Sequence, residues 1–137
     1  MAYSNFYAKF YTFISKIKNS FSAIFKVRAS FVYLALILIW QLVAWFQVWF
    51  ISKSLSSEVL VLHYNVDFGV DLVGDPKQIY DYPLLGIGIF LLNIIVLAIL
   101  YRNKNFKTLV HFLLGAAALF GFFLSLALLS IYLINFR

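Results

Sequence analysis

Three long apolar runs, separated by polar segments, dominate the pattern of hydrophobic positions along the chain. They cover residues 31–51, 82–101 and 109–136, and none of them contains Asp, Glu, Lys or Arg. A helix rises ~1.5 Å per residue, so about 20 apolar residues are enough to cross the ~30 Å hydrocarbon core of a bilayer. The pattern therefore predicts an all-α membrane protein with three transmembrane helices.

The N-terminal residues 1–30 carry a different pattern, in which apolar positions recur every three or four residues. Opposite this stripe lies a face that is basic and contains no acid. Such a pattern is typical of an amphipathic helix that lies in the headgroup plane of a membrane. We expect this helix at 3–28, on anionic lipid or, in the alternative interpretation, packed on a partner subunit. The lysines expected to face the lipid surface are Lys9, Lys16, Lys18 and Lys26.

The remainder, 31–137, is expected to form one three-span domain with a structured outer loop at 52–81. Within this loop, two stretches rich in β-branched apolar residues, 59–66 and 70–73, flank the sequence Asp67-Phe68-Gly69. Such stretches favour strands, and a three-residue turn with Gly69 in the left-handed region would join them. The loop therefore predicts a short β-hairpin. An isolated hairpin is marginal in water, so this one must lean on the bundle or on a partner.

The turn also predicts a register in which Asn65 lies opposite Asp71. Because side chains alternate across a strand, His63, Asn65 and Asp71 are then expected to be neighbours on one face. Loss of Asp71 should be more harmful than loss of Asp75, because it would leave donors of a partly buried network unpaired. The opposite face is expected to pack on the helix ends and consists of Tyr64, Val66, Val70 and Leu72.

Charge gives the three spans an orientation. All five acidic residues lie between the first two spans, whereas eight of the eleven basic residues lie in the N-terminal segment and the 102–108 link. By the positive-inside rule, the N-terminus is expected in the cytoplasm and the C-terminus on the other side of the membrane. The net charge of +6 is thus interpreted as topology and attraction to anionic lipid, and nucleic acid is not expected as a partner.

Polar residues within the spans are few and uncharged. Gln41, Gln47 and Asn93 favour hydrogen bonds between helices over a conduction pathway, which usually needs ionisable groups at depth. His111 is expected at interface depth. The third span also carries a stripe of small residues, which would let another helix approach closely, with Trp40 and Trp45 as candidates to fill the groove. The stripe consists of Ala117, Gly121 and Ser125.

The outer loop resembles a bacterial family of small membrane domains of unknown function. The residues that carry the resemblance are His63-Tyr64-Asn65, Asp71, Gly74, Lys77 and Pro83-Leu84, and the similarity covers roughly 40–100. The family includes the N-terminal region of SdpI-type immunity membrane proteins, which protect bacteria against a secreted toxin and signal its presence. The resemblance implies a bacterial inner-membrane protein with a structured extracytoplasmic motif.

The motif offers little for catalysis. No Ser, Cys or Lys stands where His63 and Asp71 could activate it, and zinc sites usually need more His or Cys. The chain has no cysteine at all, which excludes thiolate chemistry. We therefore expect no enzyme, no cofactor and no metal, and interpret the motif as a structural network or a recognition site. Its candidate residues are His63, Asn65, Gly69, Asp71, Gly74 and Asp75.

Three function classes remain open from the sequence. The first, and our expectation, is a non-catalytic accessory or scaffold subunit that binds partners through its outer loop and basic helix. The second is a toxin- or ligand-responsive membrane protein of the immunity type. The third is a small transporter or channel, which would have to be a homo-oligomer because three helices without buried charge enclose no pathway.

Overall fold

The structure, a computed structural model, describes residues 2–54, 59–65, 67 and 69–136. Within these residues the chain forms four α-helices and a two-stranded antiparallel sheet, and a short 3-10 helix, Pro76–Tyr80, leads directly into the third α-helix. The elements in chain order are α1 (Ala2–Lys26), α2 (Ala29–Ser54), β1 (Leu60–Asn65), β2 (Gly69–Gly74), α3 (Asp81–Leu100) and α4 (Phe106–Asn135).

The prediction of three membrane-length helices is confirmed. α2, α4 and α3 with its preceding 3-10 turn are each long and apolar enough to cross a membrane. The α-helices themselves end within three residues of the predicted spans, since α2 continues through Ser54 and α4 begins at Phe106, and the 3-10 turn extends the second span back to Pro76. Hydropathy marks the part of a helix that fits hydrocarbon, whereas the backbone hydrogen bonds continue into the polar residues beyond it.

The outward surface of the bundle is that expected of a multi-pass membrane protein. Large apolar side chains project from it, including Ile99, which is 73% exposed, and Phe112, which is 72% exposed. A monomeric soluble protein rarely leaves so much contiguous apolar surface in water. Hydrocarbon chains of a bilayer would cover these side chains without cost.

The first 25 residues described, α1, form a helix as predicted. α1 ends at Lys26, and a sharp corner leads into α2. The buried Ser30 hydroxyl closes this corner by donating to the carbonyl oxygen of Ile24 at 2.7 Å. α1 touches the end of α3 through the buried Ser20 and Ile24, and the Ser20 hydroxyl oxygen lies 3.1 Å from the carbonyl oxygen of Ala98.

Two apolar cores hold the elements together. The link-side core lies near the 102–108 link and contains Ile24, Leu97, Val110 and Leu114. The hairpin-side core lies at the other end and joins the bundle to the first strand. Its members come from α2, β1, the 3-10 helix and α4, and they are Ala44, Val48, Ile51, Leu60, Leu62, Ile79, Leu124, Leu128 and Ile131.

The stripe of small residues lies against α2. Ala117 and Ser125 are buried, and a Cβ atom placed on Gly121 would lie only 3.0 Å from the Cβ of Trp40. Trp40 therefore packs on the groove, but the expectation that Trp45 does so is wrong. Trp45 instead lies beside Tyr80, with ring centroids 6.2 Å apart. Five residues turn a helix by ~140°, so the two tryptophans cannot face the same neighbour.

Two of the three polar residues expected to form hydrogen bonds between helices do so, namely Gln41 and Gln47. The Gln41 amide donates to the carbonyl oxygen of Pro83 at 2.8 Å, and the Gln47 amide donates to that of Ser125 at 3.1 Å. Asn93 is buried. His111 Nδ1 lies 3.1 Å from the hydroxyl of Tyr33. These contacts fix the relative positions of α2, α3 and α4.

Candidate functional site

The side chain of Asn135, at the end of α4, joins the hairpin to the bundle by hydrogen bonds. Its Oδ1 accepts from the backbone N–H of Val61 at 2.9 Å, and its Nδ2 donates to the carbonyl oxygen of Val61 at 2.8 Å. The same Nδ2 also donates to the carbonyl oxygen of Ile131 at 2.8 Å. The carboxamide therefore satisfies both backbone groups of Val61, as a third strand would.

Apolar contacts complete this attachment. Leu60 and Leu62 of β1 are buried and belong to the hairpin-side core, together with Ile131 of α4. Val61, which lies between them, turns its backbone toward Asn135. The hairpin is thus supported by the bundle itself, which answers the need of a short hairpin for a partner surface.

The register of the hairpin differs from the predicted one. Asn65 pairs with Gly69 instead of Asp71, and His63 pairs with Leu72, with an irregularity in the ladder on each side of His63. The residues that connect the paired ends are therefore 66–68, one position earlier than the predicted turn. A slip of two residues leaves every side chain on the same face, so alternation alone cannot distinguish the two registers.

The predicted packing face is wrong in the second strand. Val70 is 49% exposed and Leu72 is 52% exposed, whereas the buried side chains of the hairpin come from β1. The reason is that only β1 lies along the end of α4, which leaves β2 at the outer edge of the sheet. The side chains of Tyr64 and Val66, which were assigned to the same face, lie outside the described residues.

His63 and Asp71 are neighbours, as the sequence predicts. His63 Nδ1 lies 2.6 Å from Asp71 Oδ1, and their side chains are 61% and 41% exposed. The expected partly buried network is therefore wrong, because this pair is open to solvent. The side chain of Asn65, the third predicted member, lies outside the part of the chain that the structure describes.

Two glycines of the motif occupy positions that favour glycine, Gly69 because of its backbone conformation and Gly74 because of its close packing. Gly69 adopts a φ of +80°, the left-handed region predicted for it. Gly74 is packed so closely that a Cβ atom would lie 2.6 Å from Leu62 Cδ1 and would collide with the side chain of Gln78. A side chain at position 74 would therefore require the side chains of Leu62 and Gln78 to move.

Asp75 has a different task from Asp71. Its Oδ1 accepts from the backbone N–H of Lys77 at 2.7 Å, and it is the N-cap of the 3-10 helix that begins with Pro76. The buried Ile79 of that helix belongs to the hairpin-side core. Asp75 is thus a capping residue that fixes where the hairpin ends and α3 begins.

The described side chains around His63 show which contacts the hairpin makes. Within the described residues, no group of three or more His, Asp or Glu side chains could hold a metal ion. The side-chain partner of His63 in this part of the chain is Asp71. The hairpin presents an exposed surface. It consists of the His63–Asp71 pair, which joins the two strands, and of exposed apolar side chains on β2.

On the other side of the molecule, α1 also has an uncovered surface. Lys16, Lys18 and Lys26 are exposed, and the side chain of Lys9 lies outside the described residues. The apolar stripe of α1 is exposed too at the positions whose side chains are described, apart from Ile24, which is buried in the link-side core. The exposed apolar members are Phe10, Ile14, Ile17, Phe21 and Phe25.

Sequence reasoning missed Asn135, which does most to position the site. Asn135 lies at the end of an apolar run, so the sequence indicates only that a span ends there. Its role depends on Val61, 74 residues earlier in the chain. The available signal is that a carboxamide can bond both the N–H and the C=O of one residue, which makes a polar residue at a helix end a candidate for docking a nearby strand.

Comparison with known protein families, with curated proteins and with solved structures finds no match to this chain. Its function therefore has to be inferred from the geometry described above.

Proposed function

We propose that this chain is a non-catalytic accessory or scaffold subunit of a bacterial inner-membrane assembly, and that its hairpin binds a protein partner outside the cytoplasm. The observation that carries the proposal is the surface of β2. Val70, Leu72 and Val73 are each about half exposed, and β2 lies at the open edge of the described two-stranded sheet.

An open strand edge with apolar side chains favours a protein partner. The N–H and C=O groups on such an edge can pair with an extended segment of another chain, and pockets for alternate side chains then add specificity. The strand is presented rigidly, because its neighbour β1 is held by Asn135 and by the buried Leu60 and Leu62. Rigid presentation lowers the entropy that binding has to offset.

The proposed orientation follows from charge. The link between α3 and α4 carries Arg102, Lys104 and Lys107 without an acid, whereas Asp67, Asp71, Asp75 and Asp81 lie in or next to the hairpin. The positive-inside rule places the link and α1 in the cytoplasm and the hairpin on the opposite side. On this arrangement the basic face of α1 lies on the anionic inner leaflet.

The test is site-specific photocrosslinking in the native membrane. A photoreactive amino acid at Leu72 should give a discrete protein adduct, and the same amino acid at Leu92, an exposed apolar position within α3, should not. An adduct of twice the 15.8 kDa chain mass would identify the partner as a second copy. The absence of any protein adduct at Leu72 and at Val70 would refute the proposal.

A second candidate is the toxin- or ligand-responsive function that the resemblance to SdpI-type proteins implies. It is favoured by the exposure of the His63–Asp71 pair, because an exposed polar pair on a fixed hairpin could contact a soluble ligand. If this function is correct, His63→Ala should abolish the response to the ligand while the Leu72 adduct persists. No comparable observation favours a transporter or channel.

A further inference from the structure

A cleft of about 540 Å³ opens between α1 and the end of α3, away from the hairpin. One wall is α1, which contributes Lys16 and Ile17, and the other is α3, which contributes Ile95 and Ile99. Arg102, just after α3, lies at its rim. The cleft therefore combines two apolar walls with two cations.

The two cations lack acidic partners. No Asp or Glu occurs before residue 58 or after residue 81, so no carboxylate belongs to α1, to the link or to α4. The structure accordingly shows no ion pair for Lys16 or Arg102 within the described residues. Two cations at one cleft repel each other unless an anion lies between them.

The geometry of Arg102 prepares it for an anion. Its Nε donates to the hydroxyl of Tyr101 at 2.8 Å, and its guanidinium carbon lies 5.4 Å from the centre of that ring. These contacts hold the side chain in place while the two terminal nitrogens remain as a fork. A guanidinium fork matches the two oxygens of a phosphate.

The apolar walls indicate what carries the phosphate. Ile99 is 73% exposed, and Ile17 is exposed as well. Both lie beside the cations, at the level where a membrane-spanning helix ends and its polar link begins. A soluble phosphate would leave these side chains in water, whereas an acyl chain would cover them. Basic pockets between helices at this level are suited to anionic lipid headgroups.

We propose that this cleft binds one anionic phospholipid, with its phosphodiester between Lys16 and Arg102 and an acyl chain along Ile95 and Ile99. The inference rests on the proposed placement of α1 at the inner membrane surface and makes it specific to one site. The contacts of Ser20 and Ile24 already join α1 to the end of α3. A lipid in the cleft would add a further link between the two helices.

Native mass spectrometry of the full chain in neutral detergent tests the proposal, because it detects bound lipid directly. The anionic probe is dioleoyl phosphatidylglycerol, and dioleoyl phosphatidylcholine serves for comparison. The wild type should bind the anionic lipid preferentially. The double variant Lys16→Gln/Arg102→Gln should bind it roughly tenfold or more weakly, since it loses two cations at the headgroup. Both side chains are exposed, so these changes leave the folded core intact.

The matched control is Lys18→Gln/Lys104→Gln, which removes the same charge from α1 and the link outside the cleft. It should change binding by less than about threefold, because diffuse attraction to surface charge is screened. Equal weakening by both double variants would overturn the cleft and leave only general attraction of α1 to anionic lipid. No preference of the wild type for the anionic lipid would overturn the placement of α1 as well.

A soluble headgroup separates the lipid from its phosphate. Glycerol 3-phosphate, at the concentration at which the phospholipid saturates, should neither bind measurably nor displace the lipid. If it binds as well as the lipid, the cleft is an anion site without a role for the apolar walls, and the proposal is wrong. The photocrosslink at Leu72 involves none of these residues, so the partner-binding proposal is tested separately.

Discussion

At the scale of single residues, two aspartates of the same loop differ in what their carboxylates hold. Asp71 pairs with His63 at the surface, and Asp75 accepts from the backbone N–H that begins the 3-10 helix. Exposed ion pairs stabilise by only about 0.2–1 kcal/mol, because water and salt screen them. A helix cap contributes about 0.5–2 kcal/mol.

We therefore expect Asp75→Ala to lower the unfolding temperature in mild detergent more than Asp71→Ala does. This order is the reverse of the one that the sequence suggests, since the sequence does not reveal that the Asp71 pair is exposed. Asp75→Asn is the matched control, because asparagine also caps helices, and it should behave like the wild type. A larger effect of Asp71→Ala would show that the His63–Asp71 pair is more deeply coupled to the fold than its exposure indicates.

At the scale of secondary-structure elements, the docking of the hairpin depends on the carboxamide of Asn135. Asn135→Ala would leave the backbone N–H and C=O of Val61 without these partners in a partly buried position, at a cost of about 1–3 kcal/mol. We expect β1 to detach more often from α4, and the buried side chains of β1 to become accessible.

Because the chain has no cysteine, a single Leu62→Cys reports this opening directly. The thiol should react with a maleimide slowly when Asn135 is present and several-fold faster in the Asn135→Ala background. Ser130→Ala is the control, since the Ser130 hydroxyl bonds only within α4, to the carbonyl oxygen of Leu126. Equal reaction rates in all three backgrounds would mean that the apolar contacts of Leu60 and Leu62 hold the strand unaided.

The elements themselves were predictable, and their docking was not. Uninterrupted apolar runs and the alternation on each side of Gly69 are local signals, so three helices and a hairpin follow from the sequence. His63 and Asp71 meet despite the wrong register, because the ladder is irregular on each side of His63 and the regular alternation of faces is interrupted there. β1 is the buried strand because Leu60 and Leu62 pack on α4 and Val61 bonds to Asn135, 74 residues away, and no local pattern encodes these contacts.

At the scale of the whole molecule, charge separation gives a testable orientation. We expect the hairpin and the C-terminus outside the cytoplasm, with α1 and the 102–108 link inside. Lys77→Cys and Lys104→Cys place single exposed thiols at opposite ends of the bundle. In right-side-out vesicles a membrane-impermeant maleimide should label the thiol at 77 at once and the thiol at 104 only after permeabilisation.

A reporter fused after Arg137 provides an independent check, because it should be active only outside the cytoplasm. The reverse labelling pattern, with activity of the reporter inside, would place the hairpin in the cytoplasm. The partner-binding surface and the lipid cleft would then exchange sides. Labelling of both thiols from outside would contradict a membrane crossing by α3, which is the helix between them.

The bond between Asn135 and Val61 also has a consequence for how the chain is made. A ribosome adds roughly 5–20 residues per second, so the 74 residues between these two positions take on the order of ten seconds to synthesise. Both strands are therefore made before their anchor exists. The hairpin can take its final position on the bundle only after the last helix has been made, so the synthesis of that helix completes the exposed surface of β2.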